Sequence, residues 1–214
     1  MTGGIDEFIA SRGITEVLHF TTNRGLLGIF ARGALLSRDD LTADDLLESV
    51  RLLNCAQRKD PEWTGYVSLS IGAVNRDFLG SSRGWHPPKD GLWWTVLSFS
   101  PRILTDPGVV FTTTNNTYHG VVRRGEGVEG LAELYAPTIP FGYYGSVARR
   151  HSSTPLDRPT HAQAEVLYPG RVPLADLQAI YVPEEDHIDD VRGFMTSIGG
   201  VPKVPVEVRP EVFL

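Results

Sequence analysis

The chain carries one cysteine, Cys55, in 214 residues. An internal disulfide is therefore excluded, and a reducing compartment is the expectation. No apolar run approaches the roughly 20 residues that cross a bilayer. The opening segment, MTGGIDEFIASRG, lacks the cationic start and long apolar core of a secretory signal. A cytoplasmic protein that does not engage membrane is expected. Metal-ligand patterns are missing too: the histidines are scattered, with no HExxH and no CxxC, so no metal is expected. The scarcity of alternating βαβ units argues against a Rossmann fold, and no GxxxxGK[ST] is present, which argues against a P-loop nucleotide site. Positive charge is in short supply: 20 Lys and Arg against 26 Asp and Glu give a net charge of −6. A dedicated duplex-DNA binder usually shows a basic face. What basic charge there is clusters locally, in VVRRGEG and SVARRHSSTPLDRP. A cationic site is compatible with an acidic whole.

What is present is a chain of short elements separated by glycine and proline. Residues 5–13 suit a short helix, and EVLHF (Glu16 to Phe20) a strand. Thr22 or Asn23 can cap the helix that follows, in which Leu26, Leu27, Ile29 and Phe30 have helical spacing and Gly33 is a stop. A second helix is expected from the cap at Thr42, with Leu46, Leu47, Val50 and Leu53 as its apolar stripe. Strands are expected in YVSLSIG, LWWTVLSFS, GVVFTTT, AEVLYPG, LQAIYVP and VPVEVRP, the last at an edge because of its prolines. A short helix, DHIDDVRGFMTSIG, separates the final two. NRDFLGSSRGWHPPKDG reads as loop, and residues 115–160 show few clean periods. Helices first and a β-rich body after, with few βαβ units, predict an α+β fold with a mixed or largely antiparallel sheet. One domain spanning residues 1–214 is expected.

Three groups could carry chemistry. In HAQAEVLYPG, residues i and i+2 of a strand would project together, so Gln163 and Glu165 would share a face. An acid at a strand edge commonly points to solvent, since carboxylates are rarely buried unpaired. Here an arginine-rich loop leads straight into the pair, as in a strand whose acid points into a cleft. In LHFTTN, His19 ends a strand with Thr21 and Asn23 beyond it. Helix capping accounts for the polar residues, but a helix N-terminus also suits a phosphate or an amide. Arg58 follows the second helix. It is either a solvated tip that suits the helix dipole or a bidentate clamp for a pyrophosphate. Arg51 lies inside that helix and reads as external, and Cys55 reads as core.

The constellation resembles the DarT family, toxin ADP-ribosyltransferases that modify DNA bases and are paired with a macrodomain antitoxin, DarG. HFT, a following Asn and helix, a later Arg, then GYVSLS, VVFT and QAEVLY carry the likeness from about His19 to Val182. The resemblance implies an ADP-ribosyltransferase-like split sheet with N-terminal helices, and NAD as co-substrate. It implies that His19, Thr21 and Asn23 hold the nicotinamide-ribose end and that Arg58 contacts the phosphates and serves catalysis. Glu165 would be the catalytic glutamate and Gln163 the neighbouring amide. Tyr143, Tyr144, Arg149 and Arg150 would shape the acceptor site, with His119 as a further contact. Thr22 stands where the family usually has histidine. The implied acceptor is a nucleobase, foremost in single-stranded DNA, and the implied setting is a toxin–antitoxin or phage-defence system. The rivals are transfer to RNA, protein or a small molecule, and a non-catalytic module that binds a nucleotide or a partner.

The chemistry fits those side chains. Breaking the nicotinamide–ribose bond neutralises the pyridinium and builds positive charge at the anomeric carbon, which a nearby carboxylate stabilises. The same carboxylate can take a proton from an incoming base. A duplex base is reached only by flipping, whereas single strands offer bases for stacking on tyrosines.

Overall fold

The computed structural model describes residues 4–41, 61–85 and 91–214. The helix expected after Thr42 lies outside the described residues, and with it Arg51, Cys55 and Arg58. Helix α1 (Ile5–Arg12) ends at Gly13 in the left-handed conformation, with φ 65°. It is followed by β1 (Val17–Thr22) and α2 (Asn23–Arg32). Next come β2 (Ala34–Leu36), β3 (Tyr66–Ile71) and α3 (Arg76–Trp85). After β4 (Trp94–Phe99) and β5 (Val110–Thr112) the chain forms β6 (Arg124–Glu126) and α4 (Gly127–Glu133). A hairpin of β7 (Thr138–Phe141) and β8 (Ser146–Arg149) precedes β9 (Glu165–Pro169) and β10 (Arg171–Pro173). The chain closes through β11 (Leu177–Val182), α5 (Asp186–Ser197) and β12 (Val206–Val208).

Eight strands form one sheet in the order β12-β11-β4-β1-β3-β9-β5-β6. Every pair is antiparallel except β11–β12. This is the α+β, largely antiparallel architecture expected. The sheet is covered on both faces. Val17, Leu69, Ile71, Leu97, Phe99 and Val166 look toward α1, α2, α4 and α5 in the larger core. Leu18, Trp94, Val96 and Tyr181 look the other way, onto Leu79 of α3 and Phe213. β4 is therefore buried on both sides, which explains its unbroken aromatic and β-branched string.

Two stretches differ from expectation. NRDFLGSSRGW is helix α3, not loop. Asn75 Oδ1 accepts the Phe78 N–H at 3.1 Å and caps it, and Leu79 and Ser82 are buried. Residues 115–160 contain β6, α4 and the β7–β8 hairpin. Their strands of three or four residues are too short to show a period, and tertiary pairing holds them.

Candidate functional site

The sheet opens at its middle. β1 pairs with β3 at only two positions, Val17–Ile71 and Leu18–Ser70, yet runs on to Thr22 against β4. His19 is the first residue past the opening. Its Nδ1 lies 3.1 Å from the Ser68 carbonyl oxygen of β3, so the imidazole spans the gap that the ladder leaves. A carbonyl can only accept, so Nδ1 carries the proton and donates. Burial holds the His19 pKa below its usual value, and the bond to Ser68 opposes that shift. The ring is thus neutral, with the Nε2 lone pair available as an acceptor.

At the exit of β1, Thr22 accepts the Gly25 N–H at 3.2 Å and caps α2. Gly25 is required by close approach: a Cβ there would collide with the Thr21 hydroxyl. Asn23 is tied to the loop before β4, donating to the Gly91 carbonyl at 2.9 Å and accepting from Trp93 N–H at 3.4 Å. Its side chain braces that loop.

Glu165 opens β9, on the far side of β3 from β1. The final β3–β9 pair is Leu69–Val166, and one further step of that register brings Glu165 level with Ser70, the residue opposite Leu18. Val166 faces the larger core, so Glu165 points to the face that Leu18 shares. By alternation His19 starts from the opposite face, and its ring turns into the gap between. His19 thus sits at the gap between β1 and β3, and Glu165 lies one strand further on, at the start of β9.

Glu165 is held firmly. It is opposite Thr112 of β5, and its Oε2 accepts the Asn116 backbone N–H at 2.9 Å. Asn116 is buried, and sequence patterning did not mark it. Its only prior signal is the dipeptide NN after a strand, a turn signature and no more.

Gln163 does not share a strand face with Glu165, contrary to the sequence reading. Residues before Glu165 form a turn, closed by Ala164 N–H to the His161 carbonyl at 3.0 Å. The turn is stabilised from inside: His161 Nδ1 takes the Gln163 N–H at 3.3 Å and the Thr114 hydroxyl at 3.0 Å. Gln163 Nε2 donates to Asp77 Oδ2 of α3 at 3.0 Å. The amide is thus anchored by a helix that the sequence hid.

The β7–β8 hairpin leans on the same region. Phe141 packs on His161 with centroids 4.4 Å apart, and Tyr143 meets Tyr118 edge-on at 5.2 Å. The tip between Gly142 and Gly145 exposes Tyr143 and Tyr144, at 68% and 95%. The two following arginines part company. Arg149 is exposed. Arg150 donates to the carbonyls of Arg158 at 2.7 Å and Pro155 at 2.9 Å, so it braces the loop before Glu165. His119 lies exposed in the loop that also bears Asn116.

The family model described as "DarT: ssDNA thymidine ADP-ribosyltransferase, DarT" matches residues 18–214. The chain belongs to the DarT family. Among solved structures, Thermus sp. 2.9 DarT in complex with NAD+ superposes with a TM-score of 0.66 at 19% identity, over 94% of this chain and 98% of that one. The Thermus sp. 2.9 protein in complex with ADP-ribosylated ssDNA gives a TM-score of 0.64 at 18% identity, over 94% and 97%. Thermosipho africanus DarTG in complex with ADP-ribose gives 0.54 at 13% identity, covering 93% of this chain and 51% of that one. No curated protein matches the chain. Among the described residues, no helix is long and apolar enough to cross a membrane.

Proposed function

We propose that this DarT-family chain transfers ADP-ribose from NAD to thymidine in single-stranded DNA at the opening between β1 and β3. The observation that carries this reading is the family match over residues 18–214, and it is supported by His19 at that opening and Glu165 on β9, one strand beyond β3. The relatives solved with NAD+ and with ADP-ribosylated ssDNA support the choice of both substrates.

In this reading His19 Nε2 accepts a hydrogen bond from the nicotinamide ribose, and Thr21 lines the same wall. Asn23 acts indirectly, by fixing the loop it is bonded to. Arg58 contacts the pyrophosphate. The glycosidic bond between C1′ and the pyridinium nitrogen breaks, nicotinamide leaves with the electron pair, and Glu165 stabilises the cation left on the ribose. Thymine's single N–H, its imide, gives its proton to Glu165 as the base bonds to C1′. Gln163 orients the base. Tyr143 and Tyr144 stack on neighbouring bases, and Arg149 and His119 meet the backbone of the strand. Arg150 serves the fold of the loop. DarTG bound to ADP-ribose in Thermosipho africanus supports a toxin role here, opposed by a macrodomain antitoxin of the DarG type.

The test is incubation with labelled NAD and three acceptors: thymidine-containing single-stranded DNA, the same strand without thymidine, and RNA. Label on the first alone is expected. Label on RNA or on the thymidine-free strand contradicts the acceptor assignment.

A further inference from the structure

We propose that Arg124 is a positioning residue for Glu165, acting through the Asn116 peptide. The inference rests on Glu165 being the catalytic carboxylate. Arg124, Thr112 and Glu165 lie side by side on three adjacent strands, because Thr112 is opposite Arg124 in the β5–β6 ladder and opposite Glu165 in the β5–β9 ladder. They share one face of the sheet. The loop between β5 and β6 folds back over that face and places Asn116 between the arginine and the glutamate.

Each link is a defined contact. Arg124 Nε donates to Asn116 Oδ1 at 2.7 Å, and Arg124 Nη2 donates to the Asn116 carbonyl oxygen at 3.0 Å. One guanidinium thus grips side chain and main chain of the same residue. The Asn116 N–H, so fixed, donates to Glu165 Oε2 at 2.9 Å. The neck of the loop is closed by Thr113 N–H to the Arg123 carbonyl at 3.1 Å. Thr112 Oγ1 donates to the Thr114 carbonyl at 2.9 Å from within.

The arginine is itself supported. Its guanidinium lies over the Trp63 ring, 5.1 Å from the centroid. Its strand is held close to α4 by two glycines: a Cβ on Gly125 would sit 2.9 Å from Gly130 Cα, and a Cβ on Gly130 would run into the Gly125 backbone. β6 cannot drift from the helix without losing that packing.

The consequence is orientational. A carboxylate on a flexible side chain rotates, and a catalytic one must not. With Oε2 pinned by an N–H that Arg124 fixes, the plane of the Glu165 carboxylate is set before substrate arrives. Lysine cannot replace this function in full, because it has no planar fork to hold both Asn116 oxygens.

The experiment compares Arg124→Ala, Arg124→Lys and Glu165→Gln with the parent protein. It measures NAD affinity, kcat and KM for a thymidine-containing strand, and thermal unfolding of each variant. Arg124→Ala is expected to lower kcat by roughly 10–100-fold, the scale on which small misplacements act, with NAD affinity and the strand's KM within about twofold of the parent. Arg124→Lys should recover only part of the loss, and added guanidinium ion should raise the kcat of Arg124→Ala. A normal kcat in folded Arg124→Ala overturns the proposal, and so does a raised KM with kcat intact, which would make Arg124 a substrate contact. Full transfer by Glu165→Gln would instead remove the catalytic reading on which the proposal stands. If Arg124→Ala does not fold, the lysine variant decides alone: full kcat in it overturns the proposal.

Discussion

Two neighbouring regions of the molecule are built in opposite ways. Around Glu165, the acid, the Asn116 peptide and the turn at His161 are all tied by hydrogen bonds, and most of the polar groups involved are buried. A few residues away, the tip of the β7–β8 hairpin presents Tyr143 and Tyr144 to solvent. The hairpin is braced beside its turn, where Phe141 packs on His161 and Tyr143 meets Tyr118 edge-on, and the rest of the tip is left open. The chemistry of glycosidic cleavage needs one fixed carboxylate. Recognition of a flexible strand needs aromatic faces that can meet bases in more than one pose. On the proposed function, the rigid region serves the reaction and the exposed tip meets the acceptor.

The comparison can be broken from either side, and the largest effect is expected at the rigid end. Glu165→Gln should lower transfer by about 10²–10³-fold or more while NAD and single-stranded DNA still bind, as measured by single-turnover kinetics beside calorimetry. Loss of binding in step with transfer would mean that the residue supports the fold. Replacing Tyr143 and Tyr144 together by alanine should act on the other term. Stacking of roughly 1–3 kcal/mol per base corresponds to about 5–150-fold per base in KM for the strand, with acceptor-free NAD hydrolysis unchanged. Equal loss of both activities would place the hairpin in the rigid half.

Smaller effects separate the paired arginines. Arg150→Ala leaves the Arg158 and Pro155 carbonyls without their donor, and should cost roughly 1–2 kcal/mol in stability after allowance for its exposure to water. Arg149→Ala should leave the unfolding midpoint unchanged and reduce the salt slope of single-stranded DNA binding by about 0.7. If the two exchange phenotypes, the reading of the loop is reversed.

The smallest expected effect is on pH dependence. Burial lowers the pKa of both His19 and His161. The unfolded chain therefore binds protons that the folded chain refuses, and stability rises with pH in that window. It is present above the ordinary histidine pKa of 6.5 and is lost as pH falls from there through the folded values. Thermal unfolding between pH 7.5 and 5.5 should show a falling midpoint, with a shallower fall in His161→Asn. A midpoint indifferent to pH in the parent protein would contradict the buried, neutral imidazoles.

How much of this was legible in the sequence depends on whether local chemistry or tertiary pairing makes each element. β1, the Thr22 cap and the apolar face of α2 write themselves locally, and so does the apolar run of β9. Glu165 opens β9, where the sequence placed a strand, whereas His19 lies within β1 and not at its end, because the ladder with β4 carries the strand on to Thr22. α3 was missed, since glycine and serine in its middle mask the helix and its buried contacts are non-local; Asn75 as N-cap was the local signal that could have found it. The shared strand face expected for Gln163 and Glu165 is absent, because a turn closed at His161 precedes the strand and the Gln163 amide turns to Asp77. Asn116 left no pattern and Arg124 showed only as half of the basic pair Arg123–Arg124, a candidate contact zone, because their link follows from cross-strand register, which one sequence does not display.

The most direct measurement of the central claim is a crystal structure with a non-cleavable NAD analogue. The nicotinamide ribose should lie in the opening between β1 and β3, within hydrogen-bond reach of His19 Nε2 and with Glu165 beside C1′. A dinucleotide seated on another surface, with that opening closed, would contradict the account.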